Sequence, residues 1–242
     1  MEKDWLERTE LLIGKDDIQA LKNKNVLVVG LGGVGSFAAE FIARVGVGKM
    51  TIVDGDTVDI TNVNRQLPAL QTTVNQPKVF LMEDRLSAIN PQIQLTCLKE
   101  FLMPERMEEL VANEKYDFVL DCIDSVTPKL NLIMACLNHE VPIISSMGAG
   151  GKLDPAKVKI ADISKSHTDP FAHQVRRQMK RRGVKPKGFM VVFSEESNVE
   201  DSLRMTDGTN FKKSFYGTIS YIPALFGLHM AGYVIRKLID RV

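Results

Sequence analysis

Short apolar runs alternate with longer amphipathic segments along the chain as far as Ser146. The short runs predict buried strands, and apolar residues three or four positions apart predict helices between them. The predicted strands are Asn25–Val29, Lys49–Asp54, Ile93–Cys97, Phe118–Asp121 and Val141–Ser145. The predicted helices are Ser36–Val45, Pro77–Ile89, Pro104–Ala112 and Pro128–His139. This alternation predicts an α/β fold with a doubly wound, mainly parallel sheet and helices on both faces.

The alternation weakens beyond the glycines of Gly148–Gly151, which divide the chain into halves 1–147 and 148–242. The second half predicts, in order, a strand over Val158–Ile163, a helix over Pro170–Arg182, a strand over Phe189–Phe193, an irregular mobile loop over Asn198–Ser214 and a helix over Ser220–Ile239. We therefore expect a C-terminal α+β extension that ends in an apolar helix. That helix has barely the length to cross a bilayer, and its Pro223, Arg236 and Lys237 favour a buried core helix over a membrane span.

Composition and charge exclude only a few classes of function. The chain has 242 residues and a net charge of +1, so no overall field indicates a nucleic-acid or membrane partner, and we expect no DNA partner. Its three cysteines are Cys97, Cys122 and Cys136, and none forms a C-x-x-C pair. Sparse, odd cysteines indicate a reduced, cytoplasmic protein without a structural zinc site. The charged N-terminus does not read as a secretory signal.

A glycine-rich loop follows the first predicted strand directly. Its glycines allow a tight turn that brings backbone N–H groups close to phosphate at a helix N-terminus, and the loop consists of Gly30, Gly32, Gly33, Gly35 and Ser36. Asp54 ends the second strand, where a carboxylate can accept hydrogen bonds from ribose hydroxyls. These features indicate a Rossmann-like nucleotide site, and NAD and ATP fit it equally well.

Cations beyond the second strand separate the two nucleotides. Arg65 and Lys78 lie within loop reach of a triphosphate. Hydride transfer does not require them, whereas phosphate activation does, because negative charge moves onto the leaving pyrophosphate. Asp124 follows the fourth strand at the edge where open α/β sheets bind ligands, and it is a candidate Mg²⁺ ligand. Each residue alone also fits a solvated surface or a helix cap.

Taken together, these motifs resemble the ubiquitin-activating-type adenylating enzymes, and the chain then forms a single ThiF-like adenylation domain. The resemblance also covers Arg8, Asp56 and Thr61–Gln66. It implies an ATP site that includes Asp54, Asp56, Asn64, Arg65, Gln66, Lys78, Asp124 and the glycine loop. It implies catalytic roles for Arg8, Arg65, Lys78 and Asp124, with Mg²⁺ on Asp124. In that family the arginine matching Arg8 crosses a homodimer interface, so the resemblance implies a homodimer.

The second half lacks cysteine and carries a local cluster of positive charge. Members of the family that form a thioester need a cysteine after the nucleotide half, and none follows Cys136. The segment Phe171–Met190 has no acidic residue and contains Arg176, Arg177, Lys180, Arg181, Arg182, Lys185 and Lys187, which we call the basic patch. Such a patch fits an RNA backbone, an acidic carrier-protein tail or simply a solvated helix face.

One branch of the family, the tRNA threonylcarbamoyladenosine dehydratases, resembles the chain nearly from end to end. The matching segments include Gly148–Asp154, Asp169-Pro170 and Val192–Glu196. The resemblance implies ATP-dependent cyclisation of threonylcarbamoyladenosine in tRNA, through adenylation of the threonine carboxylate. Three alternatives remain: a sulfur-carrier adenylyltransferase, an NAD-dependent oxidoreductase and a silent binding module. A sulfur-relay partner and a monovalent cation are compatible with the sequence, which identifies no general base for ring closure.

Overall fold

A computed structural model describes residues 4–205 and 214–241. Seven strands form one sheet in the order β3-β2-β1-β4-β5-β7-β6. Their bounds are β1 Asn25–Val29, β2 Lys49–Val53, β3 Gln94–Leu98, β4 Phe118–Asp121, β5 Ile143–Ser146, β6 Val158–Asp162 and β7 Met190–Ser194. All neighbouring pairs are parallel except β6 with β7. The α/β, mainly parallel fold predicted from the sequence is therefore confirmed.

Helices cover both faces of this sheet. Their bounds are α1 Glu7–Ile13, α2 Lys15–Lys22, α3 Gly35–Arg44, α4 Lys78–Ile89, α5 Pro104–Asn113, α6 Val126–Asn138, α7 Pro170–Arg181 and α8 Tyr221–Leu238. Alternate residues of β1 face opposite layers: Val26 and Val28 pack with α3, α4 and α8, whereas Leu27 and Val29 pack with α5, α6 and α7. Both faces of the sheet are thus apolar, as a central parallel sheet requires.

The parallel strands give the sheet two distinct edges. The carboxyl edge is where β1, β2 and β4 end, at Val29, Val53 and Asp121. The amino edge is where they begin. Residue Ser145 of β5 pairs with Val191 of β7, so the sheet continues from the first half of the chain into the second.

The apolar C-terminal segment forms a core helix. Helix α8 packs on α3 so closely that a Cβ atom on Gly227 would lie 2.4 Å from the carbonyl oxygen of Val34. Its buried side chains include Ile222, Phe226 and Met230. Within residues 4–205 and 214–241, no helix combines the length and apolarity that a bilayer span requires.

Two segments differ from the sequence-based prediction. Strand β8 (Leu203–Met205) lies within the loop predicted over Asn198–Ser214 and pairs antiparallel with β9 (Ser214–Tyr216), which begins at the last residue of that loop; we call the pair the β8–β9 hairpin, and residues 206–213 lie outside the described part. Helices α1 and α2, which precede the first predicted strand, were not predicted. Helix α1 buries no residue of its own, and α2 buries only Ile18 and Leu21, so neither shows a sustained core-facing apolar pattern. Neither segment carries the sustained apolar periodicity from which the other elements were predicted.

Candidate functional site

The glycine loop is locked between β1 and the turn after β4. Gly30 has a φ of 92° and would place a Cβ atom 2.9 Å from the carbonyl oxygen of Cys122. Gly35 opens α3, and a Cβ atom there would lie 1.8 Å from the carbonyl oxygen of Gly30. No side chain fits at either position. The loop therefore directs backbone N–H groups and the α3 N-terminus into the space above the sheet, as phosphate binding requires.

Neighbouring residues fix the middle of the loop. The hydroxyl of Ser36 donates to the carbonyl of Gly32 at 2.6 Å and accepts from the N–H of Leu67 at 3.3 Å. A Cβ atom at Gly33 would lie 2.9 Å from the Cβ of Pro223, at the start of α8. The loop is thus held by both halves of the chain.

Asp54 organises the turn at the end of β2. Its carboxylate accepts hydrogen bonds from the N–H of Leu31 at 2.6 Å and from the N–H of Asp56 at 2.8 Å. Burial raises the pKa of Asp54, and the charge of Lys78 and the two hydrogen bonds partly oppose this rise. Each carboxylate oxygen retains a lone pair that a ribose hydroxyl can use.

Lys78 provides a buried positive charge at the same edge. It is the first residue of α4, is only 5 % exposed, and its ammonium lies 3.1 Å from a carboxylate oxygen of Asp56. Its backbone N–H also donates to the carbonyl of Asp56 at 3.1 Å. The structure thus brings Asp54, Asp56 and Lys78 together beside the glycine loop.

Residues 64–66 line the other side of the loop. The guanidinium of Arg65 donates to the carbonyl of Thr61 and to the side-chain oxygen of Asn64, each at 2.8 Å. The amide of Asn64 donates in turn to the carbonyl of Thr218 at 2.9 Å. The Oε1 atom of Gln66 is buried, and no described residue donates to it. An unsatisfied buried acceptor beside a phosphate-type loop is compatible with a missing ligand donor.

Asp124 lies close enough to Arg65 to affect its titration. Burial lowers the pKa of Arg65, and the negative charges of Asp124 and Asp59 act against this effect. Asp124 is exposed and accepts a hydrogen bond from the hydroxyl of Ser125 at 3.4 Å. Among the described residues, no cluster of three or more carboxylate, histidine or cysteine side chains forms a ready metal site.

Arg8 is not part of this arrangement within one chain. Leu6, just before α1, packs against Gly46 in the turn between α3 and β2, and the carbonyl of Ile13 at the end of α1 accepts from Arg241 at 2.7 Å. Both contacts lie at the amino edge. The exposed Arg8 between them is therefore on the opposite edge from the glycine loop.

The basic patch follows α7 and the turn after it. Its residues are exposed apart from Arg176, which is partly buried and donates to the hydroxyl of Ser166. Arg182 donates to the side-chain oxygen of Asn131 at 2.9 Å. Within the described ranges, none of the seven pairs with a carboxylate. The patch is thus a positively charged surface that begins beside the carboxyl edge and runs toward the amino edge.

A buried ionic network below the site was not predicted. The ammonium of Lys129 lies 2.6 Å from a carboxylate oxygen of Asp121, and the hydroxyl of Ser145 donates to that oxygen at 2.5 Å. All three residues are fully buried, and Lys129 lies 5.8 Å from the ring centroid of Phe171. A lysine within the apolar pattern of α6 is the signal that could have revealed it. The network ties β4, which leads to Asp124, to β5 and α7.

Comparisons with known proteins cover nearly the whole chain. A model of the ThiF family matches residues 6–241. The tRNA threonylcarbamoyladenosine dehydratase of Bacillus subtilis is 45% identical, over 97% of this chain and 94% of its own length. The crystal structure of Escherichia coli tRNA N6-threonylcarbamoyladenosine dehydratase in complex with ATP superposes with a TM-score of 0.87 at 34% identity, covering 98% of this chain and 94% of that one.

A relative with another activity matches only in part. The molybdopterin-synthase adenylyltransferase of Escherichia coli is 41% identical over 54% of this chain. Likeness to the dehydratases, in contrast, continues through the second half, where the hairpin, the basic patch and α8 lie. The chain therefore belongs to the ThiF family, in the group that contains the tRNA threonylcarbamoyladenosine dehydratases.

Proposed function

We propose that this chain catalyses the ATP-dependent cyclisation of threonylcarbamoyladenosine in tRNA. The threonine carboxylate attacks the α-phosphate of ATP and pyrophosphate leaves. An internal group of the same side chain then attacks the activated carbonyl, a ring closes and AMP leaves, so the nucleoside loses one water. Proximity favours this closure, because the attacking group and the carbonyl belong to one small side chain.

The single observation that carries the proposal is the buried Lys78 beside the glycine loop. Its ammonium is held 3.1 Å from Asp56, within the same cluster as Asp54. A fixed positive charge in a partly desolvated site stabilises the charge that develops on pyrophosphate. The similar dehydratase of Escherichia coli has been crystallised with ATP, which supports the same nucleotide here.

The remaining site residues have complementary roles in this proposal. The glycine loop holds phosphates, Asp54 holds the ribose, and Arg65 with Asn64 and Gln66 completes the wall of the site. Asp124 fits Mg²⁺ as a single carboxylate ligand, because this ion is usually held by one or two carboxylates together with substrate phosphates. Bound there, Mg²⁺ would neutralise phosphate charge.

The state of the cysteines supports cyclisation without an enzyme nucleophile. Burial raises the pKa of Cys97 to about 12 and also raises the pKa values of Cys122 and Cys136. The chain has no other cysteine, so it offers no activated thiolate for a thioester with a carrier protein. Reduced thiols also agree with a cytoplasmic enzyme.

The substrate surface is assigned to the second half, 148–242. The basic patch would contact the tRNA backbone, while the first half, 1–147, binds the nucleotide. Arg8 would serve the ATP site of a partner chain in a homodimer, since its own site lies at the opposite edge of the sheet. The same edge exposes Trp5, Leu11 and Leu12, which are 50%, 83% and 78% exposed and which a partner chain could cover.

The proposal is tested by incubating the protein with ATP, Mg²⁺ and tRNA that carries threonylcarbamoyladenosine. We expect a nucleoside lighter by one water, together with AMP and pyrophosphate, in mass spectrometry and nucleotide analysis. An unchanged nucleoside in a folded, ATP-binding preparation would contradict the proposal. Pyrophosphate exchange that requires a small carrier protein would instead favour the adenylyltransferase function.

A further inference from the structure

We propose that a cavity beside the glycine loop is the pocket for the threonylcarbamoyl side chain, with Lys152 and Asn198 as its specificity-determining residues. This inference rests on the proposed function. The cavity has a volume of about 610 Å³ and lies between residues 151–153, 199–202 and 217–220, with Asn64 on its nucleotide side. None of these second-half residues belongs to the candidate nucleotide site.

Asn64 connects the cavity to the candidate ATP site. Its amide donates to the carbonyl of Thr218 in the cavity wall at 2.9 Å, and its oxygen accepts from Arg65 at 2.8 Å. A group bound in the cavity therefore lies next to the cation that we assign to phosphate. The threonine carboxylate must occupy such a position, because it has to reach the α-phosphate while its base stays outside the nucleotide loop.

Lys152 gives the cavity a buried positive charge. It is 2 % exposed, and its ammonium donates to the carbonyl of Glu196. Burial lowers the pKa of Lys152, and the charges of Asp169 and Glu196 oppose this effect. The carboxylate of Glu196 is occupied by the N–H groups of Leu153 and Asp154. An ammonium has three donors, so Lys152 can also hold a substrate carboxylate.

Asn198 supplies an unused acceptor directly behind this wall, next to Gly151. Its Oδ1 atom is buried, and no described residue donates to it. A Cβ atom on Gly151, which lines the cavity, would lie 3.2 Å from the Cβ of Asn198. A buried acceptor without a donor is unfavourable, so such atoms in native proteins call for a donor. The N–H groups of a carbamoyl linkage are donors of this kind.

Together these residues distinguish the modified nucleoside from adenosine. Adenosine has neither a carboxylate for Lys152 nor carbamoyl N–H groups for Asn198. The backbone around Gly151 keeps the wall in place, because Gly151 donates to Gly217 at 2.8 Å and accepts from the N–H of Val199 at 3.0 Å. The pocket therefore reads the threonylcarbamoyl group itself.

The test measures binding of free threonylcarbamoyladenosine and of adenosine to the full chain, by ligand-observed NMR titration without ATP. We expect wild type to bind the modified nucleoside and not adenosine. Asn198→Leu should weaken that binding, and raise KM for modified tRNA, about tenfold, the equivalent of one lost hydrogen bond. Its affinity for ATP should change less than about twofold, since Asn198 is outside the nucleotide site. Lys152→Met should weaken nucleoside binding further, if the variant folds.

The control is Asn23→Leu, an exposed asparagine at the end of α2 that should leave nucleoside binding unchanged. Three outcomes would each overturn the pocket. The modified nucleoside could bind wild type and Asn198→Leu equally, adenosine could bind wild type as tightly as the modified nucleoside, or wild type could bind neither. Turnover by wild type with an unaffected Asn198→Leu variant would remove the pocket and leave the proposed function intact. Selective binding of the modified nucleoside without turnover would support the pocket and contradict the proposed function.

Discussion

The two edges of the sheet differ in how many of the predicted site residues one chain places there. The carboxyl edge gathers the glycine loop, Asp54, Lys78, Arg65 and Asp124. The amino edge holds only Arg8 from the predicted catalytic set, together with Trp5 and an open cavity of about 550 Å³. A parallel sheet collects the loops that follow its strands at one edge, whereas helices that precede the first strand stay at the other. Arg8 can therefore join the site at the carboxyl edge only from a second copy of the chain, as we propose.

The largest effect is expected when two variants are mixed, which tests whether Arg8 acts on the site of a second chain. Arg8→Ala and Lys78→Met should each lower the cyclisation rate about 10²–10³-fold, as for loss of one group that stabilises transition-state charge. Mixed dimers of the two should recover about a quarter of wild-type activity, because half of randomly assembled dimers are mixed and each then has one intact site of two. The rate of AMP formation after subunit exchange measures the recovery.

The matched control combines variants from the same edge. A mixture of Lys78→Met with Asp124→Asn should recover nothing if both residues serve the nucleotide bound to their own chain, as their shared edge indicates. An Arg8→Ala and Lys78→Met mixture that stays as inactive as its components would show that Arg8 does not act across the dimer.

A second test concerns how tightly the carboxyl edge is built. Gly35→Ala should lower the free energy of unfolding by about 3 kcal/mol and abolish ATP binding, because its Cβ atom would lie 1.8 Å from a backbone carbonyl that cannot rotate away. Urea denaturation and ATP titration measure the two effects. Gly232→Ala in α8 is the control, since a Cβ atom there meets nothing within 4 Å. It should be neutral or stabilise by up to about 1 kcal/mol.

The carboxyl edge was predictable because its signals are local. The glycines from Gly30 to Gly35 directly follow the strand, so a short run of consecutive residues is enough to predict the loop. The cavity at Lys152 combines residues that are far apart in sequence, from Asn64 to Ser220, so neither periodicity nor motif spacing reports it. The β8–β9 hairpin and the Lys129–Asp121 pair join residues that are nearer in sequence, but neither follows a hydrophobic period. Strand β8 in particular was wrongly predicted as part of an irregular loop, because its three residues are exposed and bury no apolar face.

The position of a charged residue in the sequence also did not predict at which edge of the sheet it lies. Arg8 and Lys78 both belong to the motif set, but only the packing of Leu6 on Gly46 shows that Arg8 lies away from the glycine loop. Burial separates the predicted cations in the same way: Lys78 is enclosed, whereas most of the basic patch is exposed. The roles that we propose for them, phosphate stabilisation by Lys78 and RNA contact by the basic patch, therefore differ in burial, which the sequence does not show.

The smallest expected effect concerns the helices that run between the two edges. Glu40 of α3 lies 2.5 Å from Arg85 of α4 and 2.7 Å from Arg44. Burial alone would raise the pKa of Glu40, but hydrogen bonds from Arg85 and Arg44 outweigh it and hold that pKa below its ordinary value of 4.5. Arg85→Met should therefore lower the free energy of unfolding by about 1 kcal/mol at pH 7, a modest value because Arg85 is partly exposed.

The loss of stability in Arg85→Met should depend on pH in a direction that follows from the lowered pKa of Glu40. A carboxylate whose pKa is lowered on folding stabilises the protein above its unfolded pKa, and the stabilisation disappears as the pH falls through the lowered value. The difference between wild type and Arg85→Met in urea denaturation should thus shrink below about pH 4. Arg106→Met, which breaks the pairs with the more exposed carboxylates of Glu100 and Glu109, should show no measurable change at either pH. A loss at Arg85 that persisted in acid would mean that its aliphatic stem, and not its charge, joins the two helices.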